Sequence, residues 1–251
     1  MSALVLNPGH SHAELTEVIA KIRAERPSSS TGGSEGTVEV ASFNSTTQVV
    51  LAGSRDGILR ASEVLKELEI ASRAADLPVS CVLSLSLSLR IVLPSSSRAD
   101  ASPALHVRSA PFHCSFMAPA AAGMHAALTS SSIALHTPST PLVSGLDGSL
   151  ITTPSSLVSG LVAQISRPVR WSTCLSALPT THAVRRLIFL GPGQALANLA
   201  RRDAKLRREA EVAAGVQDGG EGGEGETEVL SVATEKDMER LRETWEEEDG
   251  A

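Results

Sequence analysis

The chain has 251 residues, 34 of them Ser but only four Phe, two Trp and no Tyr, so a core thin for this length is expected. A hydrophobic fraction of 42% excludes wholesale disorder. The net charge of -6 hides a split between an acidic end (residues 218–251, net -10) and a body at +4, which favours anionic partners but lacks the basic stripe and stacking aromatics of a nucleic-acid binder.

Residues 2–7 (SALVLN) read as a short buried strand, and Asn7-Pro8-Gly9 as a turn. No charged segment followed by an apolar one opens the chain, so no secretory signal is read. Ser11 precedes a helical pattern with Leu15, Val18, Ile19 and Ile22 on one face, and Glu14 three residues on predicts a capping box. After a loop at 26–36 come two strands, 37–42 and 48–52, joined through Phe43-Asn44-Ser45. A second helix is predicted over 55–70, with Ile58, Leu59, Val64, Leu65 and Leu68 apolar-side. A strand at 104–109 would complete β-α-β-β-α-β, the ferredoxin-like order.

Between them, residues 72–102 combine a Ser-Leu alternation with a Ser/Pro cluster and read as an insertion. The apolar run inside it, Val79 to Pro94, is too short and too polar for a membrane helix. Further on, the pattern predicts a helix at 117–128, a strand and turn at 138–148, a helix at 155–164, another opening at Pro168, a strand at 186–190 and a helix at 194–210. Strands alternating with helices predict an α/β fold. Three units are expected: a ferredoxin-like subdomain over 1–110 with the insertion, a core segment over 111–210, and an acidic, largely disordered tail over 211–251 with at most a short helix near 235–245. Cys81, Cys114 and Cys174 are odd in number and widely spaced, which supports neither a disulfide framework nor a zinc knuckle.

Two places attract chemistry. Gly9-His10-Ser11-His12-Ala13 is close to a nucleophile elbow, but Ala13 stands where the second Gly is needed and Ser11 already reads as a helix cap. His10 and His12, two apart, do not share a helical face, so no metal pair is expected. His113, in Ala110-Pro-Phe-His-Cys114 after a strand, suits a general base; taken alone, such a residue is more often an ordinary partly buried histidine.

Five blocks now carry a resemblance. VEVASFNSTTQVVLAG (38–53), SAPFHCSFMAPAA (109–121), PLVSGLDG (141–148), AQISRPVRW (163–171) and FLGPGQALANL (189–199) resemble, in order, blocks of the malonyl-CoA:acyl-carrier-protein transacylases. The resemblance implies a ferredoxin-like small subdomain plus part of an α/β-hydrolase-like acyltransferase core. It implies malonyl transfer from malonyl-CoA to the phosphopantetheine thiol of acyl carrier protein, ping-pong through a malonyl-serine ester. His113 falls on the family's base, Gln164 where a backbone carbonyl orients that base in place of a triad Asp, and Asn44 on an Asn of the substrate-side loop. Ser42 departs from the first Asn of that loop's N-F-N-S, and Thr46-Thr47 replace Pro-Gly.

The family's serine block G-H-S-L-G-E, its oxyanion block and its carboxylate-binding Arg have no counterpart here. Gly9 to Glu14 (GHSHAE) is a tempting substitute, but only 32 residues separate Ser11 from Asn44, far fewer than the family places between its serine and that loop. The chain is therefore expected to be the C-terminal portion of such an enzyme, inactive alone, with malonyl-CoA and acyl carrier protein as partners, no cofactor of its own, no nucleic acid and no membrane. The extended tail suggests a mitochondrial location, cytoplasmic otherwise. The alternatives are a non-catalytic module that binds carrier protein, or an acyltransferase segment of a polyketide or fatty acid synthase.

Overall fold

The computed structural model describes residues 1–25, 36–76, 111–130, 133–191, 194–213 and 227–249. Four strands, β1 (Ser2–Leu6), β2 (Val38–Phe43), β3 (Gln48–Gly53) and β4 (Ala71–Asp76), form an antiparallel sheet in the order β2-β3-β1-β4. With α1 (His12–Ala24) after β1 and α2 (Arg55–Glu67) after β3, this is the ferredoxin-like order. The strand that completes this order is 71–76, directly after α2, and it takes the first five residues assigned to the insertion; the strand expected at 104–109 lies outside the described residues. Its sequence ASRAAD has no branched or aromatic residue. Pairing with β1, from Leu6 opposite Ala71 to Ser2 opposite Asp76, overrides that weak propensity at the sheet edge.

Both helices lie on one face of the sheet. Leu15, Ile19 and Ile22 of α1 and Ile58, Ala61 and Leu65 of α2 are buried there against Leu4, Leu6, Val38, Val40, Phe43, Val49 and Leu51. Such side chains are each worth about 1.5–3 kcal/mol when fully buried. Leu59 and Leu68 are 37% and 52% exposed, so two of the five apolar positions predicted for α2 face away from the core. Ser11 caps α1, accepting from Glu14 N–H at 3.3 Å. The reciprocal half of the predicted capping box is not made: the Glu14 carboxylate instead meets His10 Nδ1 at 2.9 Å.

The opposite face of the sheet is also covered. Ala41, Val50, Ala52 and Cys114 are buried together, with Met1 and Phe116 packed on them. This explains the unbroken apolar run in β3, since both faces are inside. It also fixes the segment around residue 113 against the subdomain.

Beyond it come a 3-10 turn (Ser115–Met117), α3 (Ala118–Thr129), the hairpin β5 (Leu142–Val143) and β6 (Leu150–Ile151), and α4 (Pro154–Ser166). Then follow α5 (Trp171–Thr180), β7 (Arg186–Leu190) and α6 (Ala195–Ala213). α4 starts at Pro154 because Thr153 and Ser156 form a full capping box. α5 starts at Trp171 rather than Pro168, because Val169 is held by the edge of β2: Phe43 N–H donates to the Val169 carbonyl at 2.8 Å, and Val169 N–H to that of Ala41 at 2.9 Å.

The acidic end departs most from expectation. β8 (Glu228–Val232) pairs in parallel with β7 over its whole length, and α7 (Glu235–Asp249) follows, with Val232 and Leu241 buried. The acidic composition masks the apolar residues Val229, Leu230 and Val232 of the strand and the buried Leu241 of the helix.

Candidate active site

The site grows from the end of α4. The last carbonyls of a helix have no partner within it, and the helix dipole makes that end negative. The Gln164 and Ile165 carbonyls belong to this last turn. His113 takes both: its backbone N–H donates to Ile165 at 3.2 Å, and its Nδ1 lies 2.6 Å from the Gln164 oxygen. A carbonyl can only accept, so Nδ1 carries the proton. In the neutral ring the lone pair is thereby left on Nε2, the arrangement a general base needs.

His113 holds this position with φ of 60°, in the left-handed region that costs a non-glycine residue about 1–2 kcal/mol. The neighbouring Cys114 is buried, gives its thiol hydrogen to the Pro111 carbonyl at 3.0 Å, and has its thiol pKa pushed up by that burial. It is a packing residue of the second core, not a thiolate. Next to it, Ser115 donates its backbone N–H to Glu39 at 3.0 Å and its hydroxyl to the same carboxylate. Arg23 pairs with Glu39 at 3.2 Å.

Asn44 begins the turn between β2 and β3. Its Oδ1 accepts from Ser42 Oγ at 2.6 Å, and its amide nitrogen donates to Gln48 Oε1 at 3.5 Å. Its side chain is thus spent on shaping the turn; the structure joins His113 to Gln164 but brings Asn44 to neither by a hydrogen bond. The turn is anchored from outside by Asp203 of α6, almost fully buried, which accepts from Thr46 N–H at 3.0 Å and pairs with Arg207 at 3.6 Å. Arg170 lies 5.4 Å over the Phe43 ring on the same strand. Sequence reasoning missed Glu39 and Asp203: their partners stand 76 and 157 residues away, and no local pattern announces them.

A cleft of about 220 Å³, lined by the β5–β6 hairpin and α4, reaches Gln164. A second of about 500 Å³ takes in His10, Ser11, His12, Thr46 and Asp203; His113 lines neither. Ser11 sits on the second cleft, as a helix cap, and not on the one that reaches Gln164. Among the described residues no three His, Cys, Asp or Glu side chains are grouped to hold a metal ion, and no helix is long and apolar enough to cross a membrane.

No protein-family model matches the chain. The malonyl CoA-acyl carrier protein transacylase of Mycobacterium tuberculosis is 35% identical over 94 residues, 38% of this chain and 30% of that protein. The protein of the same name from Escherichia coli is 28% identical over 165 residues, 66% of this chain and 43% of that protein. The chain thus spans less than half the length of these curated relatives. Among solved structures, an acyl-carrier-protein S-malonyltransferase from Burkholderia pseudomallei matches with a TM-score of 0.57 at 30% identity, over 80% of this chain and 50% of that one. A malonyl CoA-acyl carrier protein transacylase from Clostridium perfringens reaches 0.65 at 22% identity, over 99% and 58%, a likeness of fold alone. In sequence and in fold, this chain is similar to the C-terminal part of the malonyl CoA-acyl carrier protein transacylases.

Proposed function

We propose that this chain carries the base side of an acyl-transfer site that moves malonyl from coenzyme A to the phosphopantetheine thiol of acyl carrier protein. The observation that carries the reading is the 2.6 Å contact between His113 Nδ1 and the Gln164 carbonyl. A carbonyl here takes the orienting part that an aspartate plays in a Ser-His-Asp triad, and it does so without placing a second charge in the site. His113 Nε2 removes the proton of a serine hydroxyl as that oxygen attacks the malonyl thioester, then returns it to the coenzyme A thiolate. In the second half-reaction the same nitrogen takes the proton of the carrier's thiol as its sulfur attacks the malonyl-serine ester, and hands that proton to the serine oxygen as the ester C–O bond breaks. Asn44 borders the substrate side through the turn it shapes.

The serine belongs to the G-H-S-L-G-E block that the five matched segments do not include, and Ser11 is not its substitute. The chain by itself is therefore inactive, and supplies the base to a serine-bearing segment. Malonyl transfer from malonyl-CoA to holo acyl carrier protein tests this. We expect no transfer by the chain alone, and transfer once it is joined to a serine-bearing segment of a relative. In that joined protein His113→Gln is expected to lower the rate by about a hundredfold or more, the usual share of a positioned base. Transfer by the chain alone that disappears in Ser11→Ala would overturn the assignment.

A further inference from the structure

We propose that Glu39 is a positioning residue that holds the His113 ring in its base-competent orientation; this rests on the reading of His113 as the base. The left-handed backbone of His113 persists only where surrounding contacts over-determine it. On one side those contacts are the two carbonyls at the end of α4. On the other side stands Glu39, which reaches from β2 to take both the backbone N–H and the hydroxyl of Ser115, two residues past His113.

The geometry suits a clamp. Ser115 opens the 3-10 turn, whose preceding residue, Cys114, offers no side-chain cap; the Glu39 carboxylate caps this turn from another element. The two hydrogen bonds are charge-assisted, stronger than neutral ones. Arg23 of α1 holds the carboxylate from behind at 3.2 Å, so its direction is set by a second helix. Glu39 is only 17% exposed and sits on a strand whose neighbours Val38 and Val40 are buried, so it has little freedom to swing away. Strand β2, through Glu39, and the end of α4 thus grip residues 113–115 from two sides. Losing the Glu39 grip leaves the burial of Cys114 and the two α4 carbonyls as the remaining holds on this segment, with no polar clamp on Ser115 to oppose rotation of the His113 ring.

The test reads the ring directly and needs no activity. Long-range proton–nitrogen correlation on the full chain, with His113 assigned by comparison with His113→Gln, reports which ring nitrogen carries the proton above the histidine titration range. The wild type is expected to show Nδ1 protonated and Nε2 free. In Glu39→Ala the two forms are expected to mix, and exchange of the Ser115 amide to rise by roughly tenfold or more, while β1 and β3 amides keep their protection. Glu39→Gln, which retains one oxygen for Ser115, is expected to restore most of the single form. Should Glu39→Ala unfold, Ser115→Ala, which removes only the hydroxyl contact, carries the same comparison. An unchanged His113 ring in Glu39→Ala, or in Ser115→Ala where that variant stands in, overturns the proposal. A ring that shifts in a protein later found unable to transfer malonyl in any form keeps the clamp and removes the enzymatic reading instead.

Discussion

His113 and His12 show how one residue type takes opposite parts. His113 has a carbonyl for its Nδ1 proton. His12, packed at 4.9 Å against the Phe43 ring, keeps a buried Nε2 without a hydrogen-bond partner. Burial lowers its pKa below the ordinary 6.5, Arg170 adds to the shift, and the Ser45 backbone and the Asp203 carboxylate oppose it. The sign follows from which state binds the proton more readily. A depressed folded pKa means that the unfolded chain protonates first, so stability is full above 6.5 and is lost as pH falls through the lower folded value. Urea midpoints from about pH 7 to about pH 5 are expected to fall, and to fall less steeply in His12→Gln, which cannot take up that proton. Equal slopes in the two proteins would exclude His12 as the source. The block around His113 stood out in the sequence because it is local and short, whereas the fate of His12 depends on a strand more than thirty residues on, which no spacing rule reveals.

At the level of elements, the helices and strands with strong period were readable to within a few residues, as with β7, where apolar LIFL stands between charged and turn residues. Those set by a distant partner were not: β4 forms because β1 needs an edge neighbour, and α5 begins late because β2 claims Val169. Close approach between elements is a further property invisible to pattern. Gly57, in the first turn of α2, would place a Cβ 2.5 Å from the Thr37 carbonyl oxygen, whereas Gly123 in α3 would meet nothing within 4 Å. Helix propensity favours Ala over Gly by about 1 kcal/mol at either site. Gly123→Ala is therefore expected to stabilise by up to about 1 kcal/mol, and Gly57→Ala to destabilise by about 1–3 kcal/mol because backbone must move. Urea denaturation of the pair decides it; a stabilised Gly57→Ala would mean that α2 does not lie so close to β2.

Over the whole molecule, the five ordered blocks revealed the family likeness and the α/β class, since each block is a short run whose residues lie together in sequence. Average composition misled at the acidic end, where thirteen acids obscure one strand and one helix that pack. Arg186 of β7 reaches Glu228 of β8 at 2.5 Å, so the charge itself helps to set the pairing. Deleting residues 227–249 is expected to lower the urea midpoint and to open β7 to proteolysis around Leu187–Phe189, because the strand loses its only hydrogen-bonded neighbour among the described strands. A solvated tail would be removed without either effect.

The parallel pairing of β7 with β8 also sets an order of events during synthesis. Residues 186–190 emerge from the ribosome some forty residues before their partner, 228–232. The ferredoxin-like sheet, closed by residue 76, needs nothing that comes later to complete its strands. The ferredoxin-like sheet is therefore free to fold while the chain is still growing, and apolar β7 must wait for residues 228–232 to arrive.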